Sequence, residues 1–510
     1  SQTNRQPDRP PSLLYPMQIQ PDDITSLDAQ ALSAAIHART LSCREVMQAY
    51  LTRIHRLNPI YNAIIHLAAD DDLLAQSDAR DAQLARGISM GWMHGLPHAI
   101  KNTAHVLGFP SDFGSLVLQG VMPRHDQIIA ERIKAAGAII IAKTQLTELA
   151  NWTASGMPGN YTGLTGYGMN PWDPRRDPRE AFFDGRPVMN TGGSSSGVGT
   201  NVSFWAGNVG TETSGSILSP AQQNFLVGIK PTVGRVSRYG VIPITADQDT
   251  PGPMTRTVRD AALVLAALAG VDERDAVTQN LPADLPRKLA LPLPAGALNG
   301  ARVGVIRHPS ARRDPDAGMA VGLDVLRAAG AEIIDVGELP GPASAGTARI
   351  DVMLYEMKAG INAYLAELGP AASMQSLADV IKFNDERWAQ EQPLFGQQYF
   401  TRAQAKGPLT EPAYLEAREK CWRVARGEGI DALMDTHRLD ALVGGGAGVA
   451  AMAGYPSVIV PFGVGSPLPT GFLFYGRAWS EVKLLALAAD FEARTRARRE
   501  PTFLPSAETK

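Results

Sequence analysis

The sequence predicts an α/β sandwich, with helices packed on both faces of a large mixed, mostly parallel, twisted sheet. Two observations carry this expectation. Residues 126–137 have helical periodicity, end at Gly137 and pass directly into Ala138-Ile139-Ile140-Ile141-Ala142, an apolar run that reads as a buried strand. The arrangement recurs where residues 318–330 read as a helix and Ala331-Glu332-Ile333-Ile334-Asp335-Val336 as a strand, with a further strand candidate at 301–306 just before them. Helices that alternate with short apolar strands bury their apolar stripes against a sheet, and such crossovers favour parallel neighbours.

The remaining elements follow in chain order. Residues 1–23 open polar and proline-containing and read as a flexible segment. An Ala/Leu-rich amphipathic stretch follows Ile24-Thr25-Ser26-Leu27-Asp28-Ala29, and a second covers 42–57; both read as helices. The Pro- and Asp-containing stretch 281–300 reads as a surface crossing between two lobes of the sheet, not as a domain boundary. Residues 339–435 are helical and charged and are expected to cover one face or edge, with Lys358, Glu386 and Arg387 exposed. Strand-like runs return at 439–443, 457–460 and 471–475, and a last helix at 480–496 carries its basic residues late, where they complement the dipole. Residues 24–500 are thus read as one domain with a tail at 501–510.

A chain of 510 residues with 44% apolar and 19% charged residues has ample material for a large core. The formal net charge of -3 supplies no basic field for nucleic acid and no acidic tail for a basic partner, which points to a small-molecule substrate. Cys43 and Cys421 lie far apart and form neither a disulfide framework nor a metal-ligand cluster, so no metal and no cofactor is expected. No apolar run approaches the ~18 residues of a membrane span, and the opening residues lack the apolar core of a signal peptide. The expectation is a soluble, cytoplasmic monomer or homodimer; a start at Ser1 rather than Met leaves a removed leader open.

The chemistry is concentrated in two glycine- and serine-rich runs. The first is Thr191-Gly192-Gly193-Ser194-Ser195-Ser196-Gly197-Val198-Gly199 and the second Gly210-Thr211-Glu212-Thr213-Ser214-Gly215-Ser216. A flexible linker accounts for one such run but fits poorly two runs separated by the apolar segment 202–209. Backbone amides exposed in tight glycine turns can converge on a developing oxyanion, so the pattern suggests acyl chemistry. A serine hydroxyl is a weak nucleophile and needs a positioned base, yet no histidine lies near either run. A neutral lysine can serve. That requires its pKa to fall roughly three units from about 10.4, a cost of about 4 kcal/mol that burial in a dry pocket can supply.

These runs resemble the amidase-signature family, in which one serine sits at a cis peptide bond and a second motif supplies the nucleophile. The likeness continues through Val227-Gly228-Ile229-Lys230-Pro231-Thr232-Val233-Gly234-Arg235 and Asp249-Thr250-Pro251-Gly252-Pro253-Met254-Thr255, and upstream through Gly95-Leu96-Pro97-His98-Ala99-Ile100-Lys101-Asn102. Downstream, Ala453-Gly454-Tyr455-Pro456-Ser457 and Leu468-Pro469-Thr470-Gly471 resemble the family's carboxy-terminal strands. The core motifs fall in 91–260, and the likeness is nearest to bacterial peptide amidases and related broad amidases. The resemblance implies Ser216 as nucleophile, Ser194 as the cis-serine, Lys101 as the base, and the backbone amides of Thr213, Ser214, Gly215 and Ser216 as the oxyanion hole. It implies hydrolysis of linear amide C–N bonds through an acyl-enzyme, with esters and carbamates as further substrates.

Several departures bear on this assignment. The interval from Ser194 to Ser216 is slightly shorter than in typical members, which leaves Ser195 and Ser196 as alternatives for the cis-serine. Leu218 stands where an arginine is common, which suggests a substrate without an acidic acyl end and a neutral, bulky pocket; Trp152, Met157 and Phe225 are its apolar candidates. The long stretch 171–188 is either a solvated loop or a loop shaping the pocket mouth. Other readings remain. Gly193-Ser194-Ser195-Ser196-Gly197 fits the elbow of an α/β-hydrolase esterase with Ser195 as nucleophile and His437 as base. Gly446-Ala447-Gly448-Val449-Ala450-Ala451 loosely fits a dinucleotide fingerprint but lacks the acidic residue farther on. The glutaminase component of a tRNA-linked amidotransferase shares the family's fold.

Overall fold

The computed structural model describes residues 21–180, 184–285, 289, 291–307, 317–387, 389, 394–445, 447–463 and 469–501. Most of the opening segment and of the tail, Gly446 of the dinucleotide pattern and Leu468 of the late motif lie outside the described residues. Eleven strands form one sheet: β1 Ile64–Leu67, β2 Pro97–Lys101, β3 Ile139–Thr144, β6 Gly207–Glu212, β7 Val227–Lys230, β8 Thr250–Thr255, β9 Arg302–Ile306, β10 Glu332–Gly337, β11 Ala441–Gly444, β12 Ser457–Pro461 and β13 Gly471–Tyr475. A separate two-stranded ribbon pairs β4 Tyr161–Thr162 with β5 Gly166–Tyr167. In space the large sheet runs β1-β3-β2-β6-β8-β7-β12-β13-β11-β9-β10.

The sheet is mixed, as expected, but its majority is antiparallel. Six of the ten neighbour pairings among the described residues are antiparallel, and the four parallel ones are β3 with β2, β2 with β6, β11 with β9 and β9 with β10. The reason is where the sequence signal came from. Both αβ units lie on the flanks: the helix Ile128–Ala135 crosses between β2 and β3, and the helix Ala317–Ala328 between β9 and β10. The middle of the sheet is built from β6, β8, β7, β12 and β13, neighbours that need no crossover helix.

Alternation along the strands feeds two helical layers. In β3, Ile140 packs into a core with Ile129, Ile133, Leu265 and Phe491, whereas Ile139 and Ile141 pack into another with Leu32, Tyr50, Ile54 and Trp205. The second layer begins with the helices Ala29–His37 and Cys43–Tyr61, within about two residues of the stretch expected at 42–57 at its start and longer at its end. Ser42 explains that start, since its hydroxyl accepts from Glu45 N at 3.0 Å while Glu45 accepts from Ser42 N at 2.7 Å. Beyond β10, the helices Ala348–Leu368, Leu377–Glu386, Gln398–Gln404 and Pro412–Trp422 form the expected helical cover. Glu386 and Arg387 are exposed there, but Lys358 is half-buried and donates to the carbonyls of Gln404 and Lys406. Both cysteines are buried and free, and no helix among the described residues is long and apolar enough to cross a membrane.

The topology gathers one edge of the sheet into a functional rim. β2 and β6 are parallel neighbours and β8 runs opposite to β6, so the carboxy-terminal ends of β2 and β6 lie beside the start of β8. Lys101, Glu212 and Thr250 stand at that edge.

Candidate active site

Lys101 ends β2, a strand buried at every position, and its ammonium is enclosed. Its Nζ donates to Ser194 Oγ at 2.7 Å and to Thr211 Oγ1 and O at 3.0 and 3.2 Å. Burial pushes its pKa down to about 7, against the pull of the Glu212 and Asp249 carboxylates. Low pKa alone does not single it out, because burial also takes Lys143 to about 7 and Lys230 to about 8. The contact with Ser194 does.

The three serines of the first run are placed differently. The Gly193-Ser194 peptide bond is cis, and Ser194 O accepts from Thr147 N at 2.8 Å. A side chain at 193 would put its Cβ 2.5 Å from Thr147 Oγ1, so this close approach requires glycine. Ser195 Oγ donates to Thr211 O at 3.0 Å and accepts from Thr211 N at 3.2 Å, which commits that hydroxyl to holding β6. This counts against the elbow reading. Its other member, His437, ends the helix Asp431–His437, where its carbonyl accepts from Arg302.

Ser216 follows β6 in a turn where Gly215 adopts φ +89. Three side chains that sequence reasoning missed pin this turn. Glu212, buried under it, accepts from the amides of Ile217 and Leu218 at 2.8 and 2.9 Å. Gln248 donates to Thr213 O at 3.0 Å, and Asp249 accepts from Thr213 Oγ1 at 2.5 Å. Burial raises the Asp249 carboxyl to about 6. With the turn fixed this way, the backbone amides of Thr213, Ser214, Gly215 and Ser216 have no acceptor among the described residues. The glycine and serine content was legible as a turn; that Glu212 folds under it, and that Gln248 and Asp249 reach it from farther along the chain, was not.

Ser194, Thr211, Thr213, Ser216 and Asp249 line a narrow cleft of about 10 Å³, room for roughly one water. Beside it lies a cavity of about 320 Å³ that shares Ala150, Thr213, Ser216 and Ile244. Trp152 and Met157 line this cavity as expected, and Trp152 stacks on Tyr399 with centroids 4.2 Å apart. Phe225 does not line it. Fully buried, it packs edge-on to Trp172 with Arg499 over its ring, a core role that its hydrophobicity could not distinguish from a pocket role. Leu218 likewise packs with Ile217, Ala221 and Leu226, so its identity says nothing about the pocket. The walls are not neutral, because Arg349 lines them.

Arg349 and Met353 come from the helix Ala348–Leu368, one turn apart on one face. Glu356, nearly one turn farther, ties this helix to the rim: it accepts from Thr245 Oγ1, from Asp247 N at 3.1 Å and from the Tyr414 hydroxyl at 2.7 Å. The stretch 171–188 also has a place. Asp177, Arg179, Arg186 and Val188 line a second cavity of about 320 Å³ that shares Gly156 and Met157 with the first.

Buried lysine, cis-serine and turn-borne serine share one rim, and comparison with known sequences gives the family of the chain. The family model described as Amidase matches residues 45–445, and the chain belongs to this family, the amidase-signature hydrolases of amide bonds. It is similar to a probable amidase of Arabidopsis thaliana, 32% identical over 93% of this chain and 91% of that one. Among solved structures it is similar to the native peptide amidase from Stenotrophomonas maltophilia, with 38% identity, a TM-score of 0.85, and coverage of 93% of this chain and 98% of that one. The A component of the glutamyl-tRNA(Gln) amidotransferase of Bdellovibrio bacteriovorus is 28% identical over 92% of this chain and 97% of that one.

Proposed function

We propose that the protein hydrolyses carboxamides through an acyl-enzyme on Ser216, with Ser194 and Lys101 moving the protons. Neutral Lys101 takes the Ser194 proton as Ser194 takes that of Ser216, and Ser216 Oγ bonds to the amide carbon. The oxyanion that forms meets the free amides of residues 213–216. Collapse breaks the C–N bond, and the leaving amine receives its proton from Lys101 through Ser194. Water then enters, the relay runs again, and the acid departs. The observation that carries this reading is the 2.7 Å contact between a lysine lowered to about 7 and a serine lining the same cleft as Ser216.

The cavity beside Ser216 has room for a bulky group against Trp152, Tyr399 and Met353, which supports primary amides, anilides or peptide amides as substrates, with esters and carbamates as further ones. The likeness to a peptide amidase supports a free-standing enzyme over one part of an amidotransferase. The test is a panel of these amides and esters on purified wild-type and Ser216→Ala protein. Amide hydrolysis lost in the variant supports the proposal; glutaminase activity that needs a copurifying partner overturns it.

A further inference from the structure

Arg349 is a cation in the wall of the cavity beside Ser216, and no anion among the described residues pairs with it. It is half-buried, it lines the cavity beside Ser216, and its Nε is enclosed with no acceptor. No carboxylate or carbonyl pairs with its guanidinium among the described residues. Cys421 is the ionisable side chain that acts on it, and burial lifts that thiol to about 11, so it is uncharged at neutral pH. Arginine stays charged in proteins, so this guanidinium brings an unpaired positive charge to the cavity. Burial lowers the Arg349 pKa from its ordinary value, offset in part by Cys421 and by no carboxylate among the described residues. The other arginines near the cavities differ: Arg179 pairs with Asp177 and Arg186 with Asp184.

A second donor in the same wall is also open. Trp152 Nε1 is buried without an acceptor, although its ring stacks on Tyr399. Two donors without acceptors in a wall that also carries Trp152, Met157, Met353 and Tyr399 call for a ligand that brings acceptor oxygens on a partly apolar body. A carboxylate matches the guanidinium fork with two parallel hydrogen bonds.

We propose that Arg349 is a specificity-determining residue that pairs with a carboxylate on the substrate, so that preferred substrates are amides carrying an acidic group at the far end of an apolar segment. This rests on Ser216 being the reacting serine, since the cavity is defined by its position beside it. It reverses the neutral-substrate expectation drawn from Leu218.

The test compares kcat/KM for ω-carboxyalkanamides of increasing length with alkanamides of the same length. Wild type is expected to favour the acidic member by roughly tenfold or more at one chain length, the worth of a charge-assisted hydrogen bond. The ratio should fall to about one in Arg349→Ala, be partly kept in Arg349→Lys, and turn toward ω-aminoalkanamides in Arg349→Glu. Preference for the alkanamide at every length in wild type, or an unchanged acid preference in a folded Arg349→Ala, overturns the proposal. Calorimetric titration of the same compounds onto Ser216→Ala separates this from failure of the catalytic reading. Binding of the acidic compound that is lost on adding Arg349→Ala supports the role even where no turnover is seen; no difference in binding between the acid and its neutral counterpart overturns it.

Discussion

Lys101 Nζ and Ser194 Oγ lie 2.7 Å apart although 93 positions separate them in the chain, and both side chains are fully buried. Its first consequence is a pH profile. With Lys101 lowered to about 7, kcat/KM should rise with pH through about 7 and level above it, as the neutral base accumulates. A pH–rate series on wild type checks this, and Lys101→Ala should lose the titration together with most amide turnover, retaining ester cleavage best. A flat profile contradicts the relay.

Stability should move with the same group. The folded pKa of about 7 lies below the unfolded value near 10.4, so the unfolded chain holds the extra proton between these limits and stability rises with pH across that window. Below pH 7 the penalty is complete, on the order of 4 kcal/mol. Lys101→Met should therefore gain stability over wild type at pH 6, less the hydrogen bonds it loses, and the gain should fade toward pH 10. Thermal unfolding at a series of pH values measures it.

Glu212 acts on both the turn and the base. Its charge raises the Lys101 pKa, and its carboxylate holds the amides of Ile217 and Leu218. Glu212→Gln is expected to shift the midpoint of the pH–rate profile downward while costing about 1–3 kcal/mol of stability. A midpoint that rises counts against the assignment of the titration to Lys101.

Serine labelling distinguishes the hydroxyls. A serine-directed phosphonate should attach to Ser216, and Ser216→Ala should lower turnover by about 10⁴-fold or more. Ser195→Ala should mainly cost stability, about 1–3 kcal/mol, because it leaves Thr211 N without its acceptor. His437→Ala should keep amide hydrolysis. An adduct mapped to Ser195 by mass spectrometry refutes the Ser216 assignment.

The Trp152–Tyr399 stack should matter by substrate size. Trp152→Ala removes an aromatic wall of the cavity, so kcat/KM for anilides should fall roughly tenfold, with a smaller loss for acetamide. Equal losses for both would assign the tryptophan to general stability.

What the sequence made legible follows from how far each signal reaches. Residues 139–144 announce themselves as a strand because burial on both faces leaves an apolar run, whereas 332–337, an edge strand with Glu332 and Asp335 exposed, was legible from its Ile333-Ile334 pair and the helix before it. In the antiparallel middle β12 and β13 were legible as strands, but β8 reads Thr-Pro-Gly-Pro-Met-Thr, and nothing in these compositions tells the direction of a strand. Lys101, Ser194 and Ser216 were found through local motifs, and the structure brings all three to one rim. Arg349, Tyr399 and Asp249 were missed because their roles depend on partners far along the chain, and Glu212 because a carboxylate inside a glycine- and serine-rich run does not show which way it folds. For Arg349, the spacing to Met353 and Glu356 on one helix face was the available sign. Phe225 shows the converse, an apolar residue near a motif that proves to be core.

The clamp that Glu356 makes on Thr245, Asp247 and Tyr414 splits the enzyme into two separately replaceable parts. The proposed reacting groups all precede residue 250, whereas Arg349 and Met353 in the cavity wall arrive on a helix about a hundred residues later, which Glu356 helps to fasten. Exchanging the exposed turns of that helix can redirect which molecule is accepted while the clamp keeps its register. Selectivity in this architecture is therefore open to grafting, and a designer who preserves Glu356 can vary Arg349 and Met353 without rebuilding the chemistry beneath them.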